Sequence, residues 1–256
     1  KDVSDKTKID KLRKYIIANV SWDCQFKSIL RDSNLGCKES VSNGINWFFK
    51  NEEMGIILED DCLPSKSFFY FCEELLQRYK HDERVYSISG FNQQNEWNSD
   101  HYDYFFSRLG NCWGWASWRR CWIDYDVEIK DFELFNKLNG FENSLGKKLG
   151  KIKKDMIYKG VIRDTVDSWA LQWGYLRHKN SGLTCIPSKS LIKNIGFGDD
   201  ATHTFHPLNF KVENNEINIP TAVNTYVVPD FEYDELMFKK DSIVTRLKNK
   251  LFHFLS

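Results

Sequence analysis

From residue 34 to residue 92 the apolar residues keep switching between two spacings, and nothing else in the chain narrows the fold as much. In "NLGCKESVSNGINWFFKN" Val41, Ile45 and Phe48 recur at helical intervals after a turn. "GIILEDD" follows as an unbroken apolar run of strand length. "KSFFYFCEELLQRYKHD" returns to helical spacing behind Pro64 and Ser65, and "RVYSISGFN" reads as another strand. Such alternation predicts an α/β fold with a mostly parallel sheet and covering helices. Upstream, "SDKTKIDKLRKYI" predicts a helix capped by Ser4 or Asp5, with Ile9, Leu12 and Ile16 on one face. "CQFKSILRD" alternates as a strand does.

Beyond residue 95 the texture changes. "YFFSRLGNCWGWASWRRCW" is dense in aromatic residues and glycine, and reads as a loop leading into a helix at Ser117–Trp122. The basic run Lys147–Arg163 reads as a solvated face or as a loop that closes over a diphosphate. "DTVDSWALQWGYLRHKNSG" predicts a helix ending before Gly182, and "LTCIP" and "EINIPTAV" predict short strands. No repeat or low-complexity linker interrupts the chain, so one domain is expected over residues 1–240. Residues 241–256 follow as an amphipathic basic helix, with Ile243, Leu247, Leu251 and Phe254 opposite Lys and Arg. That pattern suits peripheral contact with an anionic membrane surface, or docking on the domain or a partner.

Lys+Arg and Asp+Glu both number 36, which argues against a nucleic-acid partner held by bulk charge. The 7 cysteines are odd in number and scattered, with no CxxC pair. Reduced thiols in a cytoplasmic protein are expected, rather than disulfides or a zinc site. No apolar run reaches the roughly 18 residues of a spanning helix, and "KDVSDKTKID" lacks the order of a signal peptide.

Glu59, Asp60 and Asp61 close the apolar run "GIIL". Adjacent carboxylates repel one another and lose hydration on packing. A divalent cation relieves both costs, and oxygen donors suit Mg²⁺ or Mn²⁺. In open α/β sheets, ligands bind outside the carboxyl ends of strands. The competing reading is a solvated strand end, with Asp61 or Ser65 capping the next helix.

The triplet and its surroundings resemble the metal-binding acidic motif of GT-A glycosyltransferases, in the form found in the N-acetylglucosaminyltransferase I type. "EDDCLPSKSFFYFCEELLQRY" is similar to that family's acidic motif, proline and Phe-Phe helix. "RVYSISGFN" resembles its next strand, "GNCWGWASWRRCW" its glycine–tryptophan acceptor loop, and "VDSWALQW" its acidic, Trp-containing catalytic segment. "LTCIPSKSLIKNIGFGDDATHT" is similar to the tail of bacterial relatives from polysaccharide gene clusters. The resemblance runs in order over roughly residues 25–206. It implies a GT-A three-layer αβα sandwich. That family opens with a strand, helix and strand that cradle the nucleotide, and the resemblance implies that these elements are missing here.

By the same resemblance, Asp61 is the direct metal ligand, and Glu59 and Asp60 touch the donor sugar and ribose. Trp113, Gly114 and Trp115 face the acceptor, though aromatics at such spacing also build cores. The family's base falls at Ser168, so Asp167 is the base candidate, with Asp164 one turn earlier as its rival. The competing role for Asp167 is an N-cap of "SWALQW". His203 is a further metal-ligand candidate beside a plain structural role, and Asp199 and Asp200 read as loop residues. The implied activity is inverting, metal-dependent transfer from a nucleotide-diphosphate sugar, a UDP-sugar first, to a glycan or lipid-linked acceptor. The implied setting is bacterial surface polysaccharide synthesis, in the cytoplasm or at the inner face of the membrane. The alternatives are a nucleotidyltransferase or sugar-nucleotide pyrophosphorylase, and a carbohydrate-binding subunit without turnover.

Overall fold

Phe68, Phe71, Cys72, Leu75 and Leu76 recur at helical spacing, and in the computed structural model they form the buried face of α3 (Lys66–Arg78). The structure describes residues 3–98, 100, 102–196, 213–219, 222 and 224–237. His203, Asp199, Asp200 and the basic segment 241–256 lie outside the described residues. Two compact units divide the chain, Lys1–Asn34 and Leu35–Ser256.

In the first unit the expected helix forms as α1 (Val3–Asn19). Its Ile9, Leu12 and Ile16 are exposed. Arg13 donates to the Arg31 carbonyl at 2.7 Å. Residues 24–32 form no strand, contrary to the expectation from their alternation. A strand needs a ladder partner for its backbone groups, and this stretch has none among the described residues.

The second unit holds α2 (Gly36–Asn51), β1 (Met54–Ile57), β2 (Cys62–Pro64) and α3, then β3 (Val85–Ser89), β4 (Tyr104–Ser107) and β5 (Trp115–Trp118). After these come α4 (Arg119–Trp122), α5 (Phe132–Lys137), α6 (Gly140–Leu145), α7 (Lys147–Ile157), a π turn at Tyr158–Ile162, α8 (Ala170–Lys179), β6 (Leu183–Pro187) and β7 (Ile192–Asn194). The main sheet runs β1-β5-β3-β6-β4, and β2 pairs with β7 in a second sheet.

The α/β class holds, but the expectation of a mostly parallel sheet does not. Among the described strands only β3 and β6 run parallel, and the β1–β5, β3–β5 and β4–β6 ladders are antiparallel. The extra strands come from the aromatic stretch read as loop. All four residues of β4 and all four of β5 are buried, so neither shows the alternation that marks a half-exposed strand. "GIIL" also moves. β1 is an edge strand of half-buried residues, and β3 stands at the centre between β5 and β6.

Further differences concern element ends. Ser117 and Trp118 finish β5 instead of starting a helix, and residues 163–169 are not helical. Residues 213–219 form no strand. Instead Glu216 accepts the Lys66 and Ser67 amide N–H groups at 3.1 and 2.8 Å, ending α3 from far along the chain. Neither Ser65 nor Asp61 caps it, since no side-chain cap bond is made at Ser65. Among the described residues no helix is long and apolar enough to cross a membrane.

Arg120 ties α3, β3 and β5 together. Its guanidinium donates to the carbonyls of Tyr79, Lys80, Asp82 and Val85, each at 3.0 Å, and lies 4.6 Å over the Trp118 ring. Four carbonyls lose this donor together if it is removed, although Tyr79 and Asp82 still accept the Asp82 and Val85 N–H groups at 3.1 Å. Arg120→Ala is expected to cost about 3 kcal/mol in urea unfolding, because four charge-assisted hydrogen bonds and the packing on Trp118 go together. Arg120→Lys should recover little, since a point charge cannot span four acceptors. A loss for the Ala variant under about 1 kcal/mol would show the network to be marginal.

Candidate functional site

Where β1 ends, the chain turns sharply: the Cys62 N–H reaches the Glu59 carbonyl at 3.1 Å, and Ile195 N–H donates to the Asp61 carbonyl at 2.8 Å. Asp60 is exposed, whereas Glu59 and Asp61 are half-buried. Burial pushes the Glu59 carboxyl upward, the Asp61 and Asp60 charges push the same way, and a hydrogen bond from the Trp169 side chain opposes them. Removed from water and beside another carboxylate, Glu59 is held less willingly as an anion than a surface glutamate.

Trp169 joins the acidic turn to the core. Its ring stacks on Trp115 at 5.6 Å and 22°. Trp115 sits opposite Ile57 in the β1–β5 ladder. Trp122 and Trp173 complete the cluster, each 5.2 to 6.2 Å from its neighbours. Of the residues expected to face an acceptor, Trp115 is instead a core ring, 1% exposed, with an indole N–H that finds no partner. Trp113 is half-buried, edge-to-face with Phe91 at 4.7 Å. Gly114 between them has φ of +61°, and its carbonyl accepts the Gly90 N–H.

Asp167 acts near the acidic turn, since its charge and that of Glu59 both bear on Cys37. Its Oδ2 accepts the Cys37 amide N–H and its Oδ1 the Lys38 amide N–H, both at 2.8 Å. These are donors of the first turn of α2, where a carboxylate also meets the positive end of the helix dipole. Asp167 thus serves α2, not the segment "SWALQW"; there Ser168 Oγ accepts the Ala170 N–H. Gly36 makes the approach possible: its φ is +80°, and a Cβ would stand 2.6 Å from Asp167 Oδ2. Asp164 is a surface residue at φ of 49°, paired with the Lys38 ammonium at 2.7 Å.

Three thiols surround the acids. Burial raises the Cys112 and Cys62 pKa values to about 12; the Glu59 charge adds to the first, and at Cys62 a hydrogen bond with the Glu59 backbone opposes the rise while Asp61 adds to it. Cys37 is raised by burial and then by Glu59 and Asp167, so Glu59 and Asp167 act on one small volume. None of these thiols is disposed to ionise, and the chemistry of the site belongs to its carboxylates.

The oxygen set suits a hard divalent cation only in a limited way. Among the described residues no three His, Cys, Asp or Glu side chains come together as a ligand group. A Cβ at Gly196 would stand 2.4 Å from Asp61 Oδ2, so glycine leaves that carboxylate its space. The residues fit a cation held on the protein side by Asp61 alone, the rest of its shell coming from a bound diphosphate and water. They do not fit one caged by Glu59, Asp60 and Asp61 together.

The sequence reading missed Gly36, the backbone of Cys37 and Lys38, and the part played by Trp169. Only the Gly of "NLGC", directly before a helix, signals the first of these. No protein-family model matches the chain, and comparison with curated proteins finds no match.

Because the folded state holds the Glu59 pKa above its unfolded value, it binds this proton more tightly than the unfolded chain does. The stability involved is present below the unfolded pKa and is lost as pH rises through the folded one. Glu59→Gln is therefore expected to raise the thermal midpoint at pH 7, with the gain vanishing near pH 4. An equal gain at both pH values would mean that the charge of Glu59 carries no penalty.

Proposed function

We infer that the chain is a glycosyltransferase that moves a sugar from a nucleotide-diphosphate donor, a UDP-sugar first among candidates, to a hydroxyl of a glycan or lipid-linked acceptor. The observation that carries this reading is a convergence. The acidic turn, the Trp loop and the Asp167–Trp169 segment, far apart in sequence, meet through the Glu59–Trp169 hydrogen bond and the Trp169–Trp115 stack. The three segments are those by which the sequence resembles the GT-A family, and the mixed α/β sheet is compatible with that fold.

In this reading Asp61 would hold a Mn²⁺ or Mg²⁺ ion, which supplies neutralisation of the charge on a departing diphosphate. Glu59, half-buried and reluctant to ionise, accepts hydrogen bonds from donor hydroxyls. Asp167 accepts the acceptor's proton. Its two oxygens accept the first N–H groups of α2, which holds the carboxylate in one orientation. A carboxylate held in a fixed orientation is what general-base catalysis requires. The same bonds also favour a second reading, a carbohydrate-binding subunit in which Asp167 merely ends α2. Turnover separates the two.

The test is transfer or slow donor hydrolysis with Mn²⁺, alongside donor binding by calorimetry. Asp61→Asn should abolish Mn²⁺-dependent donor binding with the fold intact. Asp167→Asn should leave donor binding in place, lower turnover about 10²–10⁴-fold and cost about 1 kcal/mol through the weakened helix end. Unchanged metal dependence in Asp61→Asn would remove Asp61 from the site. No turnover by the unmodified chain with any nucleotide sugar would leave the binding reading standing.

A further inference from the structure

Lys38 holds two aspartates of one short segment, each with a different part of itself. Its amide N–H donates to Asp167 Oδ1 at 2.8 Å, and its ammonium donates to Asp164 Oδ1 at 2.7 Å. The neighbouring Cys37 amide takes Asp167 Oδ2 at 2.8 Å. Lys38 is itself tied into α2, where its carbonyl accepts the hydroxyl of buried Ser42 at 2.6 Å. The Asp164 hydrogen bond raises the Lys38 pKa above its ordinary value against partial burial, and the Glu39 and Asp167 charges add to the rise. The ammonium is therefore charged at neutral pH.

The segment it holds makes its backbone hydrogen bonds close to home. Among the described residues, Arg163, Asp164, Val166 and Ser168 donate N–H groups to the carbonyls of Tyr158, Val161, Gly160 and Val166. The Thr165 hydroxyl donates to the Lys159 carbonyl at 2.8 Å. No described ladder joins residues 163–168 to either sheet. The Asp167 carboxylate and the Lys38–Asp164 pair tie the segment to α2 instead. Beyond it the chain is anchored at Trp169, 1% exposed, whose carbonyl accepts the Tyr125 hydroxyl at 3.1 Å. Residues 163–168 thus form a strap with a fixed root and side-chain fastenings.

We propose that Lys38 is the positioning residue of this strap: its ammonium, acting through Asp164, keeps Asp167 seated on the first turn of α2. Each contact limits the freedom that the strap must lose to make the other, so the two are coupled. Asp164 is 73% exposed, which confines the latch to the few-fold effect of a surface ion pair. The consequence for turnover rests on the transfer reading, where Asp167 is the base. The coupling itself does not.

Hydrogen exchange of the Cys37 amide measures that coupling with no substrate present. This amide donates to Asp167, so its protection reports the seated strap. Lys38→Met keeps the backbone and the apolar stem and removes the ammonium. It is expected to lower Cys37 protection about two- to fivefold, the range of an exposed ion pair. Lys38→Arg should restore it. Asp164→Asn should give the same loss as Lys38→Met, and the double variant no more than either alone. With a transferable donor, Lys38→Met should lower kcat by about the same factor and leave the donor KM in place. A stability loss of that size leaves the chain folded and moves neither constant. Absence of transfer would remove the transfer reading, and the exchange result would then decide the latch alone. Cys37 protection that is unchanged in Lys38→Met, or that falls additively in the double variant, overturns the proposal.

Discussion

Two amide N–H groups at the start of α2, those of Cys37 and Lys38, end on a single carboxylate 130 and 129 residues away. A helix leaves its first donors without partners, and most helices supply a cap from the residue just before them. Here that position is Leu35, which has no side chain able to do so. The sequence thus leaves α2 dependent on Asp167, and Asp167 dependent on Gly36 having no side chain. The Lys38–Asp164 ion pair fastens the same strap a second time at the surface. Because α2 packs Ile45 and Phe49 into the main core, this one carboxylate joins the segment around residue 167 to the body of the unit.

From there the arrangement is carried inward by aromatic rings. Trp169 follows Asp167 by two residues and reaches both ways, to Glu59 by hydrogen bond and to Trp115 by stacking. Large flat rings fix one another's orientation, and each buries far more apolar area than an aliphatic side chain. Such a cluster holds a half-buried carboxylate where it would otherwise relax toward water. The raised Glu59 pKa is the electrostatic trace of that constraint. The orphan indole N–H of Trp115 shows that packing, not hydrogen bonding, decided the position of that ring.

The helices α2 and α3 were legible because each carries a full apolar stripe at helical spacing, and β3 because it is a buried run bounded by turn residues. The acidic turn stood out as a candidate because three adjacent carboxylates are costly without a reason. Sheet direction was not legible. β4 and β5 are four-residue strands with no exposed position, so periodicity could not separate "YFFS" and "WASW" from loop. Nor could spacing reveal that Trp115 faces the core, or that Glu216 rather than Ser65 ends α3, since both depend on partners distant in sequence.

Paramagnetic broadening by Mn²⁺ tests most directly whether the acidic turn, Trp169 and the start of α2 form one site. In an NMR spectrum of amide and indole N–H groups, Mn²⁺ with a nucleoside diphosphate is expected to broaden Asp61, the Trp169 indole and the Cys37 and Lys38 amides together. The Trp118 indole, bonded to the Leu76 carbonyl at 3.0 Å on the far side of β5, should stay sharp. Broadening centred elsewhere, or broadening of Asp61 without Trp169 and the α2 amides, would contradict a shared site.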